Sequence, residues 1–198
     1  MSQAEWDELY SSEEQLFTGS PNGALVAEVS DLNPGRALDV GCGEGADAIW
    51  LARRGWQVAS VDISQVAIDR AHRADSGNLV TWTRGDLIGT PPASRAFDLV
   101  SAQYFPLPHQ DDHAALTGLL DAVAPGGTLL VVSHYLDDLV HHGMHMFDPA
   151  DYYQPTEIAQ LLDDSWTVVT QEVRPRSSTT PEERRHVRDD VLVARRAV

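Results

Sequence analysis

RALDVGCGEGADAIWLARRGWQVASVDIS, residues 36–64, reads as strand, glycine turn, helix, strand and acidic residue. Ala37 to Val40 is a short apolar run suited to a buried parallel strand. Gly41, Cys42, Gly43, Glu44 and Gly45 form a turn that lets backbone N–H groups approach a ligand closely. In the helix that follows, Ala46, Ile49, Trp50 and Ala52 are available for packing. Arg53 and Arg54 suit the negative end of its dipole, and Gly55 stops it. Gln57 to Val61 is a second strand. Asp62 stands at its C-terminal tip, the edge at which open α/β sheets bind ligands.

Two nucleotide-type cofactors fit such a unit. Gly41, Gly43 and Ala46 match the dinucleotide pattern G-x-G-x-x-G/A, with Asp62 about 20 residues on as a ribose-binding acid. S-adenosylmethionine (SAM) fits Asp39-x-Gly41-x-Gly43-x-Gly45. Asp39 separates the two. A carboxylate just before the turn repels dinucleotide phosphates, whereas the ammonium and sulfonium of SAM are attracted to it.

At these residues the chain resembles the class I SAM-dependent methyltransferases, closest to small-molecule enzymes of the thiopurine and tellurite-resistance type. The resemblance runs from about Trp6 to Arg196. It implies a Rossmann-like α/β fold with helices on both faces of a seven-stranded, mostly parallel sheet whose last strand is antiparallel. It implies SAM as cofactor and S-adenosyl-L-homocysteine as product. Asp39, Gly41, Cys42, Gly43 and Gly45 would hold the methionine end. Asp62, Ile63 and Ser64 would hold the ribose and adenine edge, and Asp86 and Leu87 the adenine. Gln103 and Tyr104 would lie near the methyl group.

Composition narrows the partners. A chain of 198 residues with 42% hydrophobic residues suits one domain with a sizeable core. The formal charge is −16 and all 14 basic residues are arginine. Such a surface repels nucleic acids and anionic membranes, and the resemblance implies a small-molecule methyl acceptor as partner. No apolar run approaches a membrane span. The acidic N-terminus is unlike a signal peptide, and the single cysteine, Cys42, cannot form an internal disulfide. The expected location is therefore cytoplasmic, as a monomer or homodimer.

Along the chain, residues 1–30 read as an N-terminal helical cap or lid. Trp6, Tyr10 and Phe17 form an aromatic stripe that suits either a docked helix or a cover over the acceptor pocket. Residues 36–133 form the SAM-binding core. Ser64 caps a helix to Ala74, and strands follow at Leu79–Thr83, Phe97–Ser101 and Thr128–Ser133. A helix over Asp112–Val123 precedes the last of these. Ala102 to His109 should leave the sheet at its C-terminal edge. Residues 134–155 are long enough for an active-site cover. Residues 156–198 supply a helix capped by Thr156 and an antiparallel hairpin, with a polar loop from Pro175 to about His186.

Methyl transfer needs a nucleophile held in line and, for a protonated acceptor, a base. The base candidates are His134 and His109, with His186 weaker; the alternative for each is a surface histidine. His141 and His145 are spaced to share a helix face and a metal, but Gly143 and Pro149 interrupt that pattern, and no metal is expected. The other readings of the chain are a SAM-binding protein without turnover and an NAD-dependent oxidoreductase.

Overall fold

The computed structural model describes residues 1–138, 148, 151–176 and 187–198. In chain order the elements are α1 (Gln3–Ser11), α2 (Gly23–Val29), β1 (Arg36–Val40), α3 (Ala46–Arg53), β2 (Gln57–Asp62), α4 (Gln65–Ala74), β3 (Val80–Arg84), β4 (Phe97–Gln103), α5 (Ala114–Ala122), β5 (Val123–His134), α6 (Pro155–Leu161), β6 (Trp166–Pro175) and β7 (Arg188–Arg196). The strands form one sheet in the order β3-β2-β1-β4-β5-β7-β6. Neighbours from β3 to β5 pair in parallel, and β7 runs antiparallel to both β5 and β6.

The central strands are apolar on both faces because helices cover both. On one face Leu38, Val40, Val100, Leu129 and Leu192 pack with Leu119 of α5 and Ile158 of α6. On the other, Ala37, Leu99, Leu130 and Val193 pack with Leu25 of α2 and Leu51 of α3. The strand period of two separates the two sets.

Several boundaries differ from the sequence reading for local reasons. β4 runs two residues further, to Gln103, because Ala102 and Gln103 stay paired with Val131 and Val132. The helix expected from Asp112 starts at Ala114. The Asp112 carboxylate accepts the Ala114 N–H at 3.1 Å, and the Gln110 side chain accepts that of Ala115 at 2.8 Å. β5 begins at Val123 rather than Thr128, with Pro125 and Gly126 bulged out between the pairings Phe97–Val123 and Leu99–Thr128. Pro125 lacks the N–H a regular ladder needs, and Gly126 takes φ 75°. Pro155 opens α6, and Thr156 uses its hydroxyl on Asp190 instead of capping the helix. The His141–His145 metal reading, His186 and half of the expected 134–155 cover lie outside the described residues.

Candidate active site

β1 and β4 are neighbours at the centre of the sheet, where the strand order reverses direction. Crossover connections leave such a pair on opposite faces and open a crevice beyond their carboxyl ends. A cavity of about 1060 Å³ lies there. Trp6, Tyr10, Phe17, Asp39, Gly41, Cys42, Gly43, Gly45, Asp62, Ile63, Asp86, Leu87, Gln103, Tyr104 and His134 all line it.

The glycine turn is pinned to β2: the N–H groups of Gly41 and Cys42 donate to the Val61 carbonyl at 2.8 and 3.2 Å. Gly43 takes φ +51°, and a Cβ there would stand 2.9 Å from the Tyr10 hydroxyl. At Gly45, with φ +85°, a Cβ would meet the Trp82 ring at 2.5 Å. The turn thus requires glycine both for backbone conformation and for space.

Acidic groups crowd this turn. Asp39 is buried, and its Oδ2 has no hydrogen-bond partner among the described residues. Asp47, in the first turn of α3, accepts from the Asn22 N–H at 2.7 Å and the Asn22 side-chain amide at 2.8 Å. It also accepts from Gln103 Nε2 at 2.8 Å. A carboxylate can only accept, so this bond fixes the Gln103 amide. Gln103 Oε1 is left buried without a partner among the described residues. Asp62 accepts from the N–H groups of Gly43 and Ser64, each at 2.9 Å.

Burial raises the carboxyl pKa of Asp39 well above its ordinary value, and the charges of Asp47 and Asp62 push the same way. Burial likewise raises Asp47, against its Asn22 bonds, and Asp62, against its backbone N–H bonds. A cation entering here would satisfy the two orphaned oxygens and relieve this repulsion. The ammonium of SAM is such a cation. Desolvation also pushes the thiol of the half-buried Cys42 well up, so it is no nucleophile.

The N-terminal segment closes the cavity. The Glu44 carboxylate accepts from the backbone N–H groups of Leu16 at 3.1 Å and Phe17 at 2.9 Å, and pairs with Arg70 at 2.8 Å. The Asp7 carboxylate accepts from the Ser64 hydroxyl at 2.6 Å. Tyr10 is buried between Trp6 and Phe17.

The opposite wall carries Tyr104, His134 and Arg176. Tyr104 takes φ 52°, a strained conformation for a large side chain. Its hydroxyl donates to Asp189 at 3.0 Å, its ring stacks on His134 with centroids 4.5 Å apart, and the Arg176 guanidinium lies 4.6 Å over it. Arg176 donates to His134 Nδ1 at 3.5 Å.

Two sequence candidates are not on the cavity wall. Ser64 is fully buried, capping α4 through the Ala67 N–H and tying α1 through Asp7. His109 packs edge-on against Tyr153 and bonds the Glu157 carboxylate at 2.9 Å, because the loop after β4 carries its ring toward α6. Sequence reasoning missed Asp47, Glu44, Arg70 and Arg176. A charged residue in the first turn of an otherwise apolar helix was a signal for Asp47, and a glutamate among glycines was one for Glu44. Nothing in the sequence pattern singled out the two arginines.

Residues 37–127 match the family described as "Methyltransferase domain". An uncharacterized methyltransferase of Mycobacterium tuberculosis is 32% identical over 123 residues, covering 62% of each chain. The trans-aconitate 2-methyltransferase of Sinorhizobium fredii is 36% identical over 110 residues, 54% of this chain and 41% of that protein. The chain thus spans less than two thirds of the length of these curated relatives. The N-methyltransferase NodS of Bradyrhizobium japonicum, solved with S-adenosyl-L-homocysteine, superposes over 99% of both chains with a TM-score of 0.73 at 19% identity, a likeness of fold. Residues 37–127 thus match a methyltransferase domain, and the sheet order gives the chain the fold of SAM-dependent methyltransferases of known structure, with an acid-backed glycine turn at its switch point.

Proposed function

We propose that this chain transfers a methyl group from SAM to a small-molecule acceptor inside the cavity. The observation that carries the reading is that one space joins the acid-lined glycine turn to the Tyr104 wall beneath the N-terminal segment. Ligand pockets for one drug-sized molecule run to about 300–1,000 Å³, so this volume has room for a cofactor and a small acceptor. The trans-aconitate methyltransferase among the relatives supports the small-molecule class.

Asp39 and the Asp47–Gln103 pair hold the ammonium, and the Gly41–Gly45 turn packs its backbone against the methionine end, with the N–H groups of Gly41, Cys42, Gly43 and Gly45 engaged within the protein. Asp62 turns to the ribose hydroxyls. Ile63 and Leu87 flank the adenine, and Asp86 accepts from its amino group. When bound, SAM supplies a methyl group on a sulfonium that is already activated for displacement.

The chain's own work is then to hold the acceptor in line and keep water out. Burial raises the Tyr104 phenol, which stays protonated and donates to Asp189. His134 offers Nδ1 to a guanidinium that can only donate, so the neutral ring carries its proton on Nε2. Neither group is placed to take a proton. This favours an acceptor atom that is nucleophilic at neutral pH without a base, and positioning supplies the rate. The same lack of a base among the described residues supports the second reading, a SAM-binding protein without turnover.

Titration calorimetry with SAM, S-adenosyl-L-homocysteine and NAD tests the cofactor. Micromolar binding of the first two and none of NAD is expected. Release of S-adenosyl-L-homocysteine with any member of a panel of amines, thiols and carboxylic acids would establish turnover. Binding without release across the panel would favour the second reading.

A further inference from the structure

Five carboxylates line the cavity, from Asp39, Glu44, Asp47, Asp62 and Asp86, against the single guanidinium of Arg176 among the described residues. Four of the five stand on β1, the glycine turn, α3 and β2, and the fifth follows β3. Arg176 stands apart from them on the acceptor wall, just beyond β6, held by its N–H to the Val187 carbonyl at 2.9 Å. It is half-buried, stacked over Tyr104, and makes no ion pair among the described residues. Asp189 feels its charge but makes no ion pair with it among the described residues, and spends one oxygen on the Tyr104 hydroxyl.

We propose that Arg176 is the seat of a carboxylate on the methyl acceptor, so that the substrate class is a small organic acid anchored by that group. The proposal rests on the methyltransferase reading of the same cavity. A planar guanidinium matches a carboxylate with two parallel hydrogen bonds. Stacking on Tyr104 and the contact with His134 fix the plane of the fork, so little side-chain freedom is lost on binding. The charges decide between anions. One guanidinium balances one carboxylate, whereas a dianionic phosphate would leave a net negative charge facing five acids. The anchored carboxylate is bound and unchanged. The bond formed joins the methyl carbon to another, base-independent nucleophilic atom of the acceptor as the carbon–sulfur bond breaks.

The test uses the full chain saturated with S-adenosyl-L-homocysteine. Calorimetry would compare benzoate with benzamide, phenylacetate with phenylacetamide, and both acids with phenyl phosphate. At least one acid is expected to bind about tenfold or more tighter than its amide, as a charge-assisted pair requires. Phenyl phosphate is expected to bind more weakly than the acids. Arg176→Gln should bring acid and amide to parity while S-adenosyl-L-homocysteine affinity holds. Arg176→Lys, keeping the charge and losing the fork, should fall between. Acids no tighter than amides, no acid binding, a preference for phosphate, or a preference surviving Arg176→Gln would each overturn the proposal. Failure of S-adenosyl-L-homocysteine to bind would overturn the methyltransferase reading instead, and the acid–amide comparison would still report on Arg176 in the ligand-free chain.

Discussion

Asp39 is a site where function and stability oppose each other. Its side chain is buried, one oxygen lacks a partner among the described residues, and two further carboxylates repel it. A buried, unbalanced charge is destabilising until a cation arrives. Asp39→Asn should therefore stabilise the ligand-free protein by about 1–2 kcal/mol at neutral pH. It should also weaken SAM by roughly 10–100-fold, the worth of one charge-assisted hydrogen bond. Urea denaturation and calorimetry read the two effects, and a variant no more stable than the parent would contradict the account. The pH dependence follows from the direction of the shift. Asp39, Asp47 and Asp62 have native pKa values above the unfolded one, so the native state holds protons the unfolded state has released. Their contribution to stability is fully present below about pH 4, the unfolded carboxylate value, and is lost as pH rises through the native values. Melting of the ligand-free parent from pH 4.5 to 7.5 should fall relative to Asp39→Asn. The gain on adding SAM should grow over the same range, because the cation binds the ionised carboxylates. A parent-minus-variant difference independent of pH would count against ionisation as the cause.

Among the elements, the N-terminal segment is fastened to the core mainly by polar bonds that solvent can replace. Glu44 carries three of them, to the Leu16 and Phe17 N–H groups and to Arg70, and Arg70 also holds the Glu13 carbonyl at 2.5 Å. Glu44→Gln keeps the shape and removes the charge. It should cost about 1–2 kcal/mol of docking and raise the open population roughly tenfold. Limited proteolysis between Tyr10 and Ser20 should accelerate accordingly, and added S-adenosyl-L-homocysteine should slow it again. Equal cleavage of parent and variant would show that Glu44 does not hold the segment. This element also marks how far the sequence could be read. The strand–turn–helix–strand unit was legible because local rules fix it: glycine where φ is positive, an apolar run between helices, an acid at the strand tip. The aromatic stripe of α1 was legible as amphipathic. That it closes on the glycine turn was not, because the closure depends on Glu44 meeting residues 27 and 28 positions away in sequence. The end of β4 was misjudged for a related reason: Ala102 and Gln103 remain in the strand through pairing with β5, which no local propensity reports. Ser64 caps α4 as its position suggested, but it lies off the cavity wall, with its hydroxyl serving Ala67 and Asp7.

On the scale of the whole molecule, the reversal of strand order between β1 and β4 brings distant parts of the chain to one cavity. The cofactor side comes from the first half, and Arg176, with the Asp189 that holds Tyr104, from the C-terminal hairpin. The chain's formal charge is −16, and the acids inside the cavity concentrate the field there. SAM carries one more positive charge than S-adenosyl-L-homocysteine, through its sulfonium. The field should therefore steer the substrate in faster than the product at low ionic strength and lose that discrimination as salt screens it. Stopped-flow tryptophan fluorescence can follow both, since Trp6 lies on the cavity wall. The ratio of the two association rates should exceed one at about 20 mM salt and approach one by roughly 500 mM, where the screening length falls to a few ångströms. A ratio independent of salt would mean that access is limited by opening of the N-terminal segment. In that case Glu44→Gln should restore part of the salt dependence, because it loosens the gate and leaves the other acids of the wall in place. The same field repels an organic acid approaching the cavity, so its entry should quicken as salt rises. An acceptor of that class thus needs the local positive charge of Arg176 to remain once it arrives.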